Sequence, residues 1–315
     1  VTPDTVIAKE AGLELGIKES IVVNDRMETS VPDIYAAGDA VQVKHYVTGN
    51  DALISLAGPA NKQGRIIADN ICGGDSRYLG SQGSSVIKVF DMTAATTGIN
   101  ETNAKKSGLD VDTVILSPMS HAGYYPGGKV MTMKVVFEKE TYRLLGAQII
   151  GYEGVDKRID VLATAIHAGL KATQLKDLDL AYAPPYSSAK DPVNMAGFMI
   201  DNIAKGTLKQ WHLEDMDKIS RDKSVVLLDV RTVGEFNRGH MDGFKNIPVD
   251  ELRERINEIE KGKPVYLICQ SGLRSYIASR ILEGNGYETY NFSGGFRFYD
   301  AVVNDRALIE KAYTC

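Results

Sequence analysis

Cys269-Gln270-Ser271-Gly272-Leu273-Arg274-Ser275 separates an apolar run from a segment with helical spacing. The run, residues 265–268, lies beyond Gly262 and Pro264 and predicts a buried parallel strand. The apolar residues from 277 to 282 predict a helix that glycines 284 and 286 end. A cysteine between a strand and a helix lies where backbone N–H groups converge and the helix dipole is positive. The stretch therefore predicts a loop that holds an anionic sulfur.

Two residues of the loop support this prediction. Gly272 lets the chain turn back, so that successive N–H groups can point inward as an anion-binding nest. Arg274 adds a permanent cation with planar donors at the rim. Such surroundings favour a thiolate at Cys269. The alternative is a buried cysteine beside an ordinary turn, which is the commoner explanation for an isolated strand-end cysteine.

Further short motifs occur in order around the loop, namely Asp229-Val230-Arg231, Glu235-Phe236, Gly239-His240-Met241, Gly243, Asn246-Ile247-Pro248 and Gly294-Gly295. Together with the loop they make residues 213–315 resemble the rhodanese family. The resemblance implies sulfur transfer, in which Cys269 attacks a sulfane sulfur, becomes a persulfide and passes the outer sulfur to a thiol or cyanide-like acceptor. It also implies that the loop and Arg274 stabilise the persulfide, and that His240 is a structural hydrogen-bonding residue.

Strand–helix alternation predicts a small parallel α/β domain for this segment, including a helix through Leu252, Ile256 and Ile259 capped by Asp250. Arsenate reduction or phosphatase chemistry is a weaker alternative. Relatives with those activities have a longer loop than residues 269–275, so a bulky tetrahedral anion would be crowded here.

Composition limits the classes of protein that the chain can represent. Its 315 residues predict two or three domains, and 43% hydrophobic and 24% charged residues are ordinary for a globular protein. A net charge of −5 gives no general reason to expect nucleic acid or an anionic membrane as partner. No apolar run is long enough for a membrane helix, and no signal peptide is recognisable. The chain has three cysteines, Cys72, Cys269 and Cys315, which form neither a disulfide framework nor a zinc motif, so we predict a cytoplasmic protein. The histidines also lack metal-ligand spacing, so we predict no metal site.

Residues 1–78 contain a second candidate site. A short helix near residues 7–13 and a strand at 21–24 are predicted, followed by a short buried strand that ends at Gly38-Asp39. A carboxylate at the carboxyl end of a strand suits a ribose or ribitol hydroxyl. The alternative is that Asp39 caps the following helix, and taken alone this is the commoner role.

Residues 27–39 resemble the second flavin-contacting motif of the pyridine-nucleotide disulfide oxidoreductases, and residues 56–71 resemble the tail of their flavin domain. Within this family the resemblance is to CoA-disulfide reductases with a fused rhodanese domain. It implies that Gly38, Asp39, Leu56 and Ala57 contact FAD, and that the complete protein uses NAD(P)H and CoA. However, no GxGxxG motif occurs and no cysteine precedes Cys72. We therefore expect a C-terminal portion of such a reductase that does not by itself reduce disulfides with NAD(P)H.

Residues 79–206 predict an α+β unit. A strand at 86–90, a helix at 101–108, a hairpin of 130–137 with 144–150 and a helix around 159–166 resemble the dimerisation domain of the same family. The resemblance implies a homodimer, in which Tyr124 and Tyr182 reach the active-site cysteine of the partner subunit. Packing or interface tyrosines are the alternative, with about even weight. Residues 207–212 are predicted to be a linker held by the ring of Trp211.

Two functions remain open from the sequence. The first is a rhodanese-type sulfurtransferase that passes persulfide sulfur to the reductase. Its sulfur acceptor or donor is CoA or CoA persulfide. The second is a dimerisation, flavin-site and persulfide-presenting module without independent catalysis. Cys72 is predicted to be a packing residue, and Cys315 a terminal thiol without a role rather than one that resolves the persulfide.

Overall fold

The computed structural model describes the backbone of residues 2–313 and the side chains of residues 2–309. Two five-stranded sheets and one two-stranded ribbon divide these residues into three regions. The predicted combination of α/β and α+β regions is confirmed. Val1 and Cys315 lie outside the described residues. No helix of the described part of the chain is long and apolar enough to cross a membrane.

The first region is mostly loops around two helices. It contains α1 (Val6–Glu10), an antiparallel ribbon of β1 (Val43–Lys44) with β2 (Asp51–Ala52), and α2 (Ala57–Ile71). The predicted strands at residues 21–24 and before Gly38 are wrong. Those segments make only isolated bridges, at Ile21 and at Tyr35. Gly38–Ala40 forms a 3₁₀ turn.

The second region is an antiparallel sheet covered by helices. Its elements are β3 (Ser85–Val89), β4 (Met92–Gly98), α3 (Glu101–Lys106), β5 (Val111–Leu116), β6 (Met131–Glu138), β7 (Leu144–Gly151), α4 (Val155–His167) and α5 (Pro192–Ala204). The strand order is β3-β4-β7-β6-β5. The predicted hairpin is confirmed as the β6–β7 pair. Met131, Met133 and Val135 on β6 are buried, and Leu162 of α4 belongs to the same core.

The third region is a parallel sheet with helices. It comprises β8 (Gln210–Trp211), α6 (Met216–Ile219), β9 (Val226–Asp229), α7 (Val233–Arg238), β10 (Lys245–Asn246), β11 (Val265–Ile268), α8 (Leu273–Gly284), β12 (Thr289–Phe292) and α9 (Gly295–Tyr313). The order β10-β9-β11-β12-β8 puts β11 at the centre. Gln210 and Trp211, which we placed in a linker, are instead an edge strand paired with β12. Trp211 is 2% exposed and its ring packs on Phe292.

The helix predicted through Leu252, Ile256 and Ile259 does not form. Residues 250–254 make turns and Ile256–Glu258 a single 3₁₀ turn, although Leu252 is fully buried as expected. The Tyr287 hydroxyl donates to the carbonyl oxygens of Ile256 and Ile259, at 3.2 and 3.1 Å. These tertiary hydrogen bonds join the end of the segment to Tyr287, which precedes β12.

Hydrogen bonds join the second and third regions. Ser293 Oγ, after β12, accepts from the amide of Ile115 in β5 at 3.0 Å, and both groups are buried. Gln210 Nε2 donates to the carbonyl oxygen of Thr113 at 2.7 Å. His212 Nε2 lies 3.2 Å from the Asp112 carboxylate. These contacts fix the carboxyl edge of the parallel sheet against β5.

Candidate functional site

The cysteine loop lies at the carboxyl edge of the parallel sheet, where β11 ends and α8 begins. Cys269 directly follows β11, and Gly272 is the N-cap of α8 with φ 99°, a left-handed conformation that favours glycine. Twelve helical residues follow, from Leu273 to Gly284. The positive end of the α8 dipole therefore lies beside the cysteine, as the sequence predicts.

The sulfur of Cys269 receives two hydrogen bonds. The amide of Gly272 donates to Sγ at 3.1 Å, and the hydroxyl of Ser275 shares its proton between Sγ at 3.2 Å and the carbonyl oxygen of Gly272 at 3.1 Å. Cys269 is 1% exposed. The predicted nest of several amides is reduced to one amide and one hydroxyl within the described contacts. These two donors can stabilise negative charge on the sulfur, because hydrogen bonds to an anionic acceptor are the stronger kind.

The loop is held from behind by the start of α9. The amide of Phe296 donates to the carbonyl oxygen of Cys269 at 2.8 Å, and the amide of Arg297 to that of Gln270 at 3.2 Å. Gly295 has φ 68°, and a Cβ there would lie 2.7 Å from the Gln270 carbonyl oxygen and from Ser271 Cα. The Gly294-Gly295 motif thus permits close approach of two backbones, and this approach fixes the shape of the cysteine loop.

Arg274 is engaged differently from the prediction. Its two terminal nitrogens donate to the two carboxylate oxygens of Glu235, at 2.6 and 2.7 Å. This pairing holds the pKa of Glu235 at about 2, below its ordinary value, and raises the pKa of Arg274. Glu235 also forms a capping box with Thr232 at the start of α7. Two of the five N–H donors of Arg274 therefore join α8 to α7.

A second arginine pair lies beside the loop, in a motif without an individual role predicted from the sequence. Arg231 and Asp229 are buried, and Arg231 Nε and Nη2 donate to Asp229 Oδ2 at 2.9 and 2.7 Å. The guanidinium carbon of Arg231 lies 3.8 Å from the centre of the Phe296 ring. Arg231 also donates to the carbonyl oxygen of Gly239. The Asp229-Val230-Arg231 motif was the available signal, and its function is to fix the strand end next to Cys269.

The tyrosine pair forms a second candidate site, in the antiparallel region. The hydroxyls of Tyr124 and Tyr182 lie 2.6 Å apart, and the two residues are 77% and 44% exposed. The hydrogen bond to Tyr124 raises the pKa of Tyr182. The structure therefore brings together the two tyrosines that the sequence singled out. Two phenols joined in this way present one shared proton donor on the surface.

Below the tyrosine loops lies a buried ionic cluster that sequence reasoning missed. Arg158 of α4 donates to the Asp191 carboxylate at 2.9 Å and to the carbonyl oxygen of Ser120 at 2.9 Å. Asp191 also accepts from the Ser187 hydroxyl at 2.7 Å. The amide of Ala122 donates to the carbonyl oxygen of Ser187. These bonds tie the loop of Tyr124 to the loop of Tyr182. An arginine on an otherwise apolar helical stripe was the only signal.

The third group comprises Gly38, Asp39, Leu56 and Ala57. Gly38 has φ 78°, and its amide donates to Gln63 Oε1 of α2 at 2.7 Å. Leu56 is the N-cap of α2 and Ala57 its first residue. Asp39 is exposed and its carboxylate makes no hydrogen bond within the described part of the chain. Gly38 packs against α2, where an added Cβ would lie 3.8 Å from Ala60, and the exposed carboxylate of the next residue fits the hydroxyl groups of a nucleotide cofactor.

Three family models match separate segments of the chain. Residues 1–64 match the pyridine nucleotide-disulphide oxidoreductase model and residues 84–192 the dimerisation domain of the same family. Residues 212–301 match the rhodanese-like domain.

Individual relatives agree with these matches. An NAD(P)H sulfur oxidoreductase (CoA-dependent) of Pyrococcus furiosus is 39% identical over 193 residues, which are 61% of this chain and 43% of the relative. A coenzyme A disulfide reductase of Staphylococcus aureus is 36% identical over 197 residues, 62% of this chain and 44% of the relative. The chain spans less than half the length of these relatives.

Two solved structures cover nearly the whole chain. Reduced Bacillus anthracis CoADR-RHD is 47% identical with a TM-score of 0.93, over 97% of this chain and 55% of that one. An NAD-dependent persulfide reductase from A. fulgidus is 42% identical with a TM-score of 0.86, over 94% of this chain and 54% of that one. The similarity therefore includes the arrangement of all three regions.

Proposed function

The chain combines pyridine nucleotide-disulphide oxidoreductase domains with a rhodanese-like domain, and from this premise we propose that Cys269 carries sulfur as a persulfide. The observation that carries the proposal is the pair of hydrogen bonds that Gly272 and Ser275 donate to Sγ. Two donors and the α8 dipole stabilise a sulfur anion in a largely water-free loop.

The reaction that we propose has two displacements. The Cys269 thiolate attacks the outer sulfur of a donor, a new S–S bond forms, and the donor leaves as a thiolate or, from thiosulfate, as sulfite. An acceptor thiolate then attacks the outer sulfur of the Cys269 persulfide and restores the Cys269 thiolate. Each step moves one neutral sulfur atom between two anions, so no outside oxidant or reductant is consumed.

The residues around the loop have separate parts in this proposal. Gly272 and Ser275 hold the sulfur anion, and Gly295 lets α9 support the loop backbone. Arg274 acts as a positioning residue through Glu235, and its charge contributes to the local positive potential. Of the remaining loop residues, Gln270 accepts from Arg231 through Oε1, and Ser271 and Leu273 line a cavity beside the loop.

We further propose that the first two regions belong to a flavin-dependent reductase of CoA disulfide or persulfide, which acts as a homodimer. Asp39 and the start of α2, at Leu56 and Ala57, would hold part of FAD, which when bound passes electrons from NAD(P)H towards a disulfide. The fit of an exposed carboxylate beside a helix start supports this assignment. Tyr124 and Tyr182 would donate their shared proton to a thiolate on the partner subunit. The cytoplasmic location stays a prediction.

A second candidate function is presentation of a persulfide without turnover. The burial of Cys269 favours it, because burial restricts access to the sulfur.

Sulfur transfer from thiosulfate to cyanide distinguishes the two functions. The sulfurtransferase proposal expects thiocyanate formation by the full chain and none by Cys269→Ser. Cys72→Ser is the matched control, since Cys72 is an exposed free thiol on another region. Transfer that persists in Cys269→Ser contradicts the proposal. An unmodified chain that acquires a persulfide at Cys269, seen by mass spectrometry, but forms no thiocyanate supports the presenting module.

A further inference from the structure

Side chains of the parallel region cover the free edge of β5. The order β3-β4-β7-β6-β5 leaves one side of β5 without a neighbouring strand in the described part of the chain. An edge strand carries outward N–H and C=O groups that need other partners. The Thr113 carbonyl oxygen accepts from Gln210 Nε2 at 2.7 Å, and the Ile115 amide donates to Ser293 Oγ at 3.0 Å. These two side chains therefore take the place of a neighbouring strand.

Ser293 is held through both its backbone and its side chain. It directly follows β12 and is 2% exposed. Its amide donates to the carbonyl oxygen of Trp211 at 3.0 Å, while its Oγ accepts from the amide of Ile115 in a buried bond. A buried amide is costly to leave without an acceptor, so this bond fixes the position of Ser293 relative to β5.

The turn that follows Ser293 supports the cysteine loop. Only Gly294 and Gly295 separate Ser293 from Phe296, whose amide donates to the carbonyl oxygen of Cys269 at 2.8 Å. Both glycines have positive φ, 101° and 68°, so the turn has a backbone shape that other residues rarely adopt. Because the turn is short and its shape is fixed, a shift of Ser293 also shifts the backbone that supports the loop.

A second contact joins the end of β12 to the loop. Asn291, two residues before Ser293, is buried, and its Nδ2 donates to the carbonyl oxygen of Gly272 at 3.1 Å. Gly272 is the residue whose amide donates to Cys269 Sγ. The end of β12 therefore contacts β5 through Ser293 and the sulfur-binding loop through Asn291 and the glycine turn.

We propose that Ser293 is a positioning residue for sulfur transfer, through which the packing of β5 places the Gly272 amide beside Cys269 Sγ. This inference rests on the proposed function, because the loop that Ser293 positions is the one proposed to carry the persulfide. Among the described residues Ser293 makes no hydrogen bond to the sulfur, whose donors are Gly272 and Ser275. Hydrogen bonds weaken steeply when distance or angle departs from the favoured range, so a small shift of the loop weakens the stabilisation of the sulfur anion. The antiparallel region thereby becomes part of the sulfur-carrying site.

Single-turnover formation of the Cys269 persulfide from thiosulfate, followed by mass spectrometry of the full chain, tests the proposal. Ser293→Ala removes the acceptor of the Ile115 amide. It is expected to lower the rate constant at saturating thiosulfate at least fivefold and to change the half-saturating concentration less than twofold. A variant that had only lost stability would lower the amplitude, because fewer molecules are active, and would leave the rate constant of the others unchanged. The matched control is Ser279→Ala, expected to change the rate constant less than twofold, since Ser279 is also 2% exposed but donates within α8 to the Tyr276 carbonyl oxygen.

A second variant shows whether β5 is involved. Gln210→Ala removes the neighbouring bond to β5 from a residue that is not in the glycine turn, and it is expected to lower the rate constant at least twofold. An unchanged rate constant in Ser293→Ala would overturn the proposal. A slower Ser293→Ala beside an unchanged Gln210→Ala would also overturn it, because the effect would then be local to the turn at Gly294.

Hydrogen exchange separates failure of this inference from failure of the proposed function. Exchange of the peptide that contains Gly272, measured by mass spectrometry, reports the order of the loop without any sulfur transfer. Ser293→Ala and Gln210→Ala should each raise its exchange rate at least threefold over that of Ser279→Ala. A wild-type chain that forms no persulfide rejects the proposed function, while faster exchange in the two variants keeps the link from β5 to the loop. Unchanged exchange in both variants rejects the link even where sulfur transfer occurs.

Discussion

Replacing Glu235 by Gln tests whether its ion pair with Arg274 stabilises the third region, the parallel sheet with its helices. The carboxyl has a pKa of about 2 in the folded protein, against an ordinary value of 4.5, chiefly because Arg274 donates two hydrogen bonds to it. One pKa unit corresponds to about 1.4 kcal/mol, so the full difference is worth about 3 kcal/mol. The paired side chains are 21% and 31% exposed, and solvent screening reduces the expected loss to about 1–2 kcal/mol at pH 7.

The pH dependence follows from the direction of the shift. A carboxyl with a lowered folded pKa contributes its full stability above the unfolded value of 4.5 and loses it as the pH falls towards about 2. The difference in unfolding free energy between the wild type and Glu235→Gln is therefore constant from pH 7 to about 5.5 and shrinks below 4.5. Urea unfolding followed by the fluorescence of Trp211, which is buried in the same region, measures it.

Glu258→Gln is the matched control. Its carboxyl also has a pKa of about 2, because Arg255 and Lys245 donate to it, but this ion pair is on the surface. Surface pairs contribute little, so the control should unfold close to the wild type. Equal urea midpoints for Glu235→Gln and the wild type at pH 7 would refute the reasoning, as would a difference that grows on acidification.

Glu235→Gln also frees the charge of Arg274, so alkylation of Cys269 by iodoacetamide at pH 7, followed by mass spectrometry, should become faster.

Three further predictions concern the tyrosine pair, the buried ion pair of Arg158 with Asp191, and the close backbone approach at Gly295. Tyr124→Phe removes the hydrogen bond that raises the pKa of Tyr182, so that pKa should fall towards its ordinary value in an NMR titration of ¹³C-labelled tyrosine; an unchanged pKa contradicts the pairing. Arg158→Leu leaves its carboxylate partner buried and unpaired, and should cost about 3–5 kcal/mol in chemical unfolding, whereas a loss below about 1 kcal/mol would show that water replaces the arginine. Gly295→Ala should cost about 1–3 kcal/mol and reduce thiocyanate formation, while Gly284→Ala, with open space around it, should be neutral or stabilising.

The sequence alone determined the local elements and the identity of the cysteine loop. The apolar run at residues 265–268 and the glycines after residue 282 were sufficient to place β11 and α8, because these signals act within one element. The alternation in residues 130–137 likewise predicted β6 and its buried face. Periodicity failed at Leu252 and Ile256, where burial was predicted correctly but the backbone conformation was not. There the hydroxyl of Tyr287, 28 residues or more away, bonds to carbonyl oxygens at the end of the segment, a contact that periodicity does not reveal.

Only the tertiary structure decided what each polar side chain of the site contacts. The sequence marked Arg274 as a cation beside the sulfur, but the carboxylate that engages it comes from α7, 39 residues earlier. The same holds for Arg158 and Asp191, which are 33 residues apart and meet only because α4 packs beside the start of α5. Hydrogen bonds and ion pairs depend on distances of a few ångströms, and packing of distant elements sets those distances. The sequence determines which chemical groups are available, and the fold determines which of them meet.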